Sequence, residues 1–195
     1  MKIKLLASTL LAACAIALTP VTVQAEEAHE APIKEFISQN VKGWLTDPVV
    51  ISAIKEQNAQ TGALDQAAID KLDTEWRAQA TASAKPMVDE VLGRALSKFL
   101  VEKKDASQGM ITEMFVMDAK GLNVGQSDVT SDYWQGDEAK WQKTFSVGPD
   151  TVFVDGVEKD ESTQALQSQA SVTISDPDTG APIGAITIGI NLDML

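Results

Sequence analysis

Met110-Ile111-Thr112-Glu113-Met114-Phe115-Val116-Met117-Asp118-Ala119-Lys120-Gly121-Leu122-Asn123-Val124-Gly125-Gln126 carries the pattern from which the fold class can be worked out. Met110 to Met117 is a compact, mostly apolar run of strand-forming residues, and it ends in Asp118-Ala119-Lys120-Gly121, where Asp and Gly suit a tight turn. Leu122 to Gln126 returns as a second strand, so the stretch is a β-hairpin with Asp118 as its turn stabiliser. Gly109 is also the point at which the hydrophobic period changes, from helical before it to alternating after it.

Upstream, Ile33, Phe36, Ile37, Val41, Trp44 and Leu45 recur at helical spacing and predict a long amphipathic N-terminal helix. Thr46-Asp47-Pro48 reads as a cap followed by Pro at the first helical position, and opens a helix over 48–60 that carries Val50, Ile51 and Ile54. Asp65 caps a third, with Ile69, Leu72 and Trp76 on its face. Pro86 opens a fourth that shows Val88, Val91, Leu92, Leu96 and Phe99. Downstream, residues 131–144 read as a short helix lying on a sheet, with acids at its front and lysines at its end. Strands follow over 151–154, 167–174 and 183–192, the last two joined by the turn cluster Asp176-Pro177-Asp178-Thr179-Gly180. The final strand alternates Ile186, Ile188, Ile190 and Leu192 with Ala185, Thr187, Gly189 and Asn191. One face is core; the other is small and partly polar, which leaves room for a covering element or a ligand. The fold class is therefore α+β, with long N-terminal helices packed on a five-stranded antiparallel sheet.

The remaining 195-residue arithmetic narrows function. The chain is 44% hydrophobic and 23% charged, with one Cys and one His. Neither a disulfide framework, a Cys-rich zinc site nor a Ser-His-Asp or Cys-His nucleophile can be assembled from that inventory in the folded region. A net charge of −12 repels nucleic acid. Lys2 and Lys4, the apolar run Leu5 to Leu18 and Val23-Gln24-Ala25 read as a secretory signal over residues 1–25, so the mature chain begins at Glu26. It then carries fourteen bases against 28 acids and lacks cysteine. Leu11-Ala12-Ala13-Cys14 offers the alternative of a lipoprotein anchored through Cys14. No second apolar stretch of spanning length follows, so the expectation is a free periplasmic protein. Residues 26–109 form the helical region and 110–195 the sheet-bearing core of one domain.

Phe115-Val116-Met117-Asp118-Ala119-Lys120-Gly121-Leu122-Asn123-Val124, the following block Ser127 to Trp141 and the strand Gly184 to Asn191 resemble the single-Cache form of the PAS-like extracytoplasmic sensory domains. The resemblance spans roughly Pro32 to Leu195, with the central block its specific part. It implies a small-molecule sensor that binds ligand between the sheet and the elements covering it, and signals through a partner: a membrane receptor, a sensor kinase or a transporter. The central block lacks the Arg that amino-acid-binding relatives commonly direct at a ligand carboxylate. The alternative reading is a ligand-free interaction protein, a homodimer formed through the helical stripe Phe36, Ile37, Val41 and Trp44.

Tyr133, Trp134 and Trp141 are the candidate pocket aromatics, since such rings offer flat apolar area with a polar handle. On a helix over 131–143, Trp134 and Trp141 share a face and Tyr133 is offset by about 100°. The bland reading is that the tryptophans pin that helix to the sheet. Asp128 and Asp132, with Asp137 nearby, are candidate partners for an amine or polyol, or for calcium; the alternative is helix capping. Their spacing does not match an EF-hand loop, and no metal or cofactor is assigned. Lys120, Lys140 and Lys143 read as solvated surface charges. His29 lies in an N-terminal arm, Glu26 to Ala31, expected to be disordered, and is given no chemistry. The chain is expected not to be an enzyme. N-terminal sequencing of the exported protein checks the address: the expected first residue is Glu26, and a lipidated Cys14 would overturn it.

Overall fold

The computed structural model describes residues 27–159 and 166–195. The secretory signal, its cleavage site and Cys14 lie outside the described residues. Helices come first: α1 (Glu30–Phe36), α2 (Pro48–Thr61), α3 (Gln66–Ala80), α4 (Pro86–Gly93) and α5 (Ala95–Ala106). Strands β1 (Ile111–Asp118) and β2 (Asn123–Gln126) follow, then a four-residue helix α6 (Ala139–Gln142), then β3 (Val152–Val154), β4 (Glu158–Lys159), β5 (Leu166–Ser175) and β6 (Pro182–Asn191). The sheet is antiparallel with order β2-β1-β6-β5-β3, and the two-residue β4 pairs beside β5. The α+β class holds; the expected five strands are the main path, and β4 is a sixth.

Alternation along β6 builds the core. Ile186, Ile188 and Ile190 point to the helical side with Met114 and Val116 of β1 and Val172 and Ile174 of β5, where they meet Ile33, Ile37, Val41, Val50, Ile54, Leu96 and Leu100. Each such aliphatic side chain contributes about 1.5–3 kcal/mol by leaving water. The expected N-terminal helix is not one regular helix: α1 passes into a π turn over Ile37–Val41 and a 3-10 turn over Lys42–Trp44. Ile33, Ile37, Val41 and Leu45 are all buried and recur every four residues. In a strict α-helix that spacing drifts by about 40° per step, and the wider π turn keeps the row facing the sheet.

Asp47 accepts from the Val49 amide (2.9 Å) and Asp65 from the Ala68 amide (2.9 Å), the two caps predicted from sequence. The helix expected from Pro86 through Phe99 is broken instead, because Arg94 takes an extended conformation (φ −64°, ψ 153°) between α4 and α5. The bend is held by tertiary bonds. Arg94 donates to Gln57 Oε1 and the Val124 carbonyl, both at 2.8 Å, and Ser97 Oγ donates to the Val91 carbonyl while accepting from the Gln126 amide. His29 is likewise no part of a free arm: its Nε2 lies 2.9 Å from the Asp155 carbonyl, at the end of β3.

The predicted turn after β1 forms, and Asp118 is its fully buried centre. Oδ1 accepts from the Lys120 (2.7 Å) and Leu122 (3.0 Å) amides, and Oδ2 from Gln57 Nε2 (3.0 Å) and Thr61 Oγ1 (2.8 Å) of α2. Gly121 adopts φ +81°, and a Cβ there would come within 2.6 Å of the Gly136 backbone. Asp118→Ala orphans the Lys120 and Leu122 amides and takes one acceptor each from Gln57 and Thr61, which keep only backbone carbonyls, so it is expected to cost about 3 kcal/mol. Urea unfolding monitored by tryptophan fluorescence checks this; a loss under about 1 kcal/mol would show that the network is not what holds the hairpin to α2.

Candidate functional site

The second face of the sheet is made of β1 Glu113, Phe115 and Met117, β6 Ala185, Thr187 and Gly189, and β5 Gln169, Ser171 and Thr173. Residues 127–147 cross it. At one end Trp141 and Phe145, stacked with ring centroids 5.1 Å apart, pack on Phe115, Met117 and Ala185. At the other end the cover lifts away and leaves a cleft of about 240 Å³, lined by Glu113, Phe115, Asp132, Gln135, Glu138 and Lys140, with Gln169 at its side.

The helix expected over 131–144 exists only at Ala139–Gln142. The reason is competition for backbone donors and acceptors. Asp73 Oδ1 of α3 accepts from the Tyr133 (2.8 Å) and Trp134 (3.0 Å) amides, Asn123 donates to the Tyr133 carbonyl, and Gln135 donates to that of Gly121. The segment is thereby stitched to α3 and the hairpin as an extended strap.

That geometry disperses the five residues predicted for the site. Tyr133 stacks on Trp76 (5.3 Å, 26°) within the cluster formed with Ile69, Val88, Val91 and Leu122, and its hydroxyl is pushed up by burial, with Arg94 opposing. Trp134 donates to the Lys120 carbonyl (2.8 Å) on the same side. Trp141 stands on the second face and donates to the Asp118 carbonyl (3.2 Å). Asp128 is bound through both oxygens to Lys104 Nζ at 2.6 Å. Asp132 alone lines the cleft. Trp134 and Trp141 do not share a helical face, and the Asp128, Asp132 and Asp137 trio does not gather: among the described residues no group of three or more His, Cys, Asp or Glu is placed to hold a metal ion.

Glu113, Gln135, Gln169 and Lys140 complete the site. Glu113 sits in register with Phe115 and Met117, a charged residue on the face that two large apolar side chains share, and that was its legible signal. It faces Gly189 across the ladder, where a Cβ would come within 2.9 Å of Glu113 Cγ and 2.3 Å of Thr112 Oγ1. Gly189 thus gives the Glu113 side chain room to lie over β6. Gln169 Nε2 donates to Glu113 Oε1 (2.8 Å), yet burial pushes the Glu113 carboxyl above its ordinary range against the opposing influence of that bond and of Lys140. Lys140 is not a solvated surface charge. Its Nζ lies 2.8 Å from Glu138 Oε2 and 5.3 Å from the Phe115 ring centroid, with the side chain only 14% exposed. Asp132 Oδ2 pairs with Arg77 Nη2 (3.2 Å), and its Oδ1 accepts from Gln135 Nε2 (2.5 Å). Gln135 is 1% exposed, and its Oε1 has no hydrogen-bond partner among the described residues.

A larger hollow of about 650 Å³ lies between α2 and the α4–α5 bend, around Arg94. There the polar groups already satisfy each other: Arg94 bonds Gln57, the Val124 carbonyl and both oxygens of Glu90. The cleft on the sheet is smaller, but it holds a desolvated carboxyl and an unmet acceptor, which is the chemistry of a binding site.

No protein-family model matches the chain, and no curated protein matches it. Among solved structures it is similar to the ligand-binding domain of the Campylobacter jejuni chemoreceptor Tlp3 in complex with 4-methylisoleucine, at 9% identity over 83% of this chain and 64% of that one, with a TM-score of 0.39. It is similar also to the V. cholerae histidine kinase DctB sensor domain (12% identity, 84% and 55% covered, TM-score 0.42). A third is the ligand-binding domain of the Pseudomonas aeruginosa PAO1 amino acid chemoreceptor PctC in complex with GABA (13%, 85% and 61%, 0.39). The chain spans less than two thirds of the length of each.

Because the raised Glu113 carboxyl holds its proton more tightly in the folded chain than in the unfolded one, stability falls as pH rises between the unfolded and folded values. The cost is fully present above the raised value and absent below the ordinary carboxylate range. Glu113→Gln is therefore expected to raise Tm near neutral pH, with the gain shrinking to nothing on acidification. Thermal unfolding of both proteins across that range checks it, and a gain independent of pH would refute the assignment to ionisation.

Proposed function

We propose that this chain is an extracytoplasmic small-molecule-binding module of the Cache type, without enzymatic activity, whose ligand occupies the cleft between the second sheet face and the 127–147 strap and whose signal passes to a separate membrane partner. The observation that carries the reading is Glu113. Placing a carboxyl in a partly desolvated cleft costs stability, and Gly189 leaves the space that lets it lie there. A sheet built only for stability would put an apolar side chain at that position. The secretory signal read in residues 1–25 and the resemblance of the central block support the location and the class. Among the described residues no helix is long and apolar enough to cross a membrane.

The route for that signal is the strap. Asp132 touches the cleft and Arg77 of α3 at once, and Asp73 holds the adjoining Tyr133 and Trp134 amides. A ligand that engages Asp132 better in one strap position than another shifts the α3–α4 side by that difference in affinity and no more. Trp141, which pins the strap's far end to Phe115 and Met117, acts as the fixed end of this lever, and Tyr133 and Trp134 as its moving end. The alternative of a homodimer through the N-terminal helix is weakened by the core itself, since Ile37 and Val41 of the proposed stripe are fully buried within the chain.

Thermal unfolding of the chain from Glu26 against amines, organic acids, sugars, nucleobases and calcium tests the reading. A ligand at about 100 times its Kd adds roughly 2.7 kcal/mol, which moves Tm by several degrees in a domain of this size. A saturable shift that is lost in Asp132→Asn is expected. A cooperative transition unmoved by the whole panel would sink the proposal.

A further inference from the structure

Within the cleft the charges are unbalanced. Glu113, Asp132 and Glu138 face one cation, Lys140, while Arg77 stands behind Asp132 and is shared with Asp73. An anion entering here meets three carboxylates. The groups left for a ligand are acceptors: the Glu113 carboxylate, bonded through Oε1 to Gln169, and Gln135 Oε1, buried and unpartnered. The aromatic face of Phe115 closes one wall. Carboxylate, amide oxygen and ring face together are the complement of an ammonium group. The structure already shows an ammonium accommodated in this cleft, because the Lys140 Nζ lies over the Phe115 ring against Glu138.

Resting on the small-molecule reading above, we propose that the cleft is selective for a small primary ammonium ion and that Lys140 is its tethered occupant, displaced from the Phe115–Glu138 position when the ligand binds. The consequence is mechanical as well as chemical. Lys140 sits between the Trp141 anchor and Glu138, so a ligand that turns its ammonium out frees Glu138 and acts on the strap on its Asp132 side while Trp141 keeps its hold on the sheet. A primary ammonium has three donors, enough for Glu113, Gln135 and Glu138; a quaternary one has none and leaves Gln135 Oε1 unmet. The 240 Å³ of the cleft suits a ligand of about eight heavy atoms or fewer.

The test uses the chain from Glu26 to Leu195 as parent, as Lys140→Met and as the double variant Glu113→Gln/Lys140→Met. Thermal unfolding is followed against ethylammonium, tetramethylammonium and acetate at matched ionic strength. Methionine keeps the length and apolar stem of Lys140 and removes its charge, so Lys140→Met is expected to respond to ethylammonium with an apparent Kd about tenfold below the parent's. The double variant is expected to lose the response, and tetramethylammonium and acetate to give none. Equal response in parent and Lys140→Met overturns the tethered-occupant idea. Stabilisation by acetate but not ethylammonium overturns the ammonium selectivity while leaving a binding module standing. Failure of all three probes here, with a positive result for another class in the wider panel, does the same; failure of both panels removes the binding reading altogether. If Lys140→Met does not unfold cooperatively, Lys140→Gln is read by the same criteria.

Discussion

The carboxylate of Asp118 is the point at which helical and sheet halves of this protein are joined. With no exposure to water, it must find its acceptor bonds filled by protein, and it does so from two directions: the turn amides of Lys120 and Leu122, and the α2 side chains of Gln57 and Thr61. Gln57 in turn accepts from Arg94 at the α4–α5 bend, and Arg94 reaches the Val124 carbonyl of β2. One buried carboxyl group therefore ties the hairpin to α2 and, through Gln57 and Arg94, to the α4–α5 bend. Removing the bend would free Ser97 from the Gln126 amide and leave the β2 edge without its partner.

Above that junction the sheet divides labour between its faces. Branched aliphatics on one side fill the space beneath the helices. On the other, Ala185, Thr187 and Gly189 give up side-chain volume, and the strap covers only part of what they leave. The apolar pair Trp141 and Phe145 fills one end, and the cleft with Glu113 and Lys140 occupies the other. Ala185 receives the Trp141–Phe145 pair, Thr187 bonds Ser171, and Gly189 leaves room for the Glu113 side chain.

Electrostatics gives the cleft its character. Burial raises the Glu113 carboxyl, and Lys140 is held low over Phe115, so both charges are less solvated than surface residues of their kind. Asp132 ties this polar face to α3 through Arg77, which makes the strap a physical connection between cleft and helices rather than a lid alone. The exposed pairs elsewhere, such as Asp128 with Lys104, add little to stability by comparison.

Much of the architecture was legible from residues alone. The Asp47-Pro48 and Asp65 caps, the hairpin around Asp118 and the alternation of β6 all depend on local chemistry: a side chain beside its own backbone, or a period of two. The α4–α5 break, the π turn after α1 and the extended strap at 131–138 were not legible, because each follows from bonds to residues far along the chain: Gln57 and Val124 for Arg94, the sheet for Ile37 and Val41, Asp73 for Tyr133 and Trp134. The site divides the same way. Asp132 and the small face of β6 were visible, and Glu113 left a trace as a charge on the strand face it shares with Phe115 and Met117. Which aromatics turn toward the sheet and which toward α3 follows from Asp73 capturing the strap's backbone, so layers and faces come from local pattern, whereas the place of the cleft and the charges that meet in it come from contacts between distant segments.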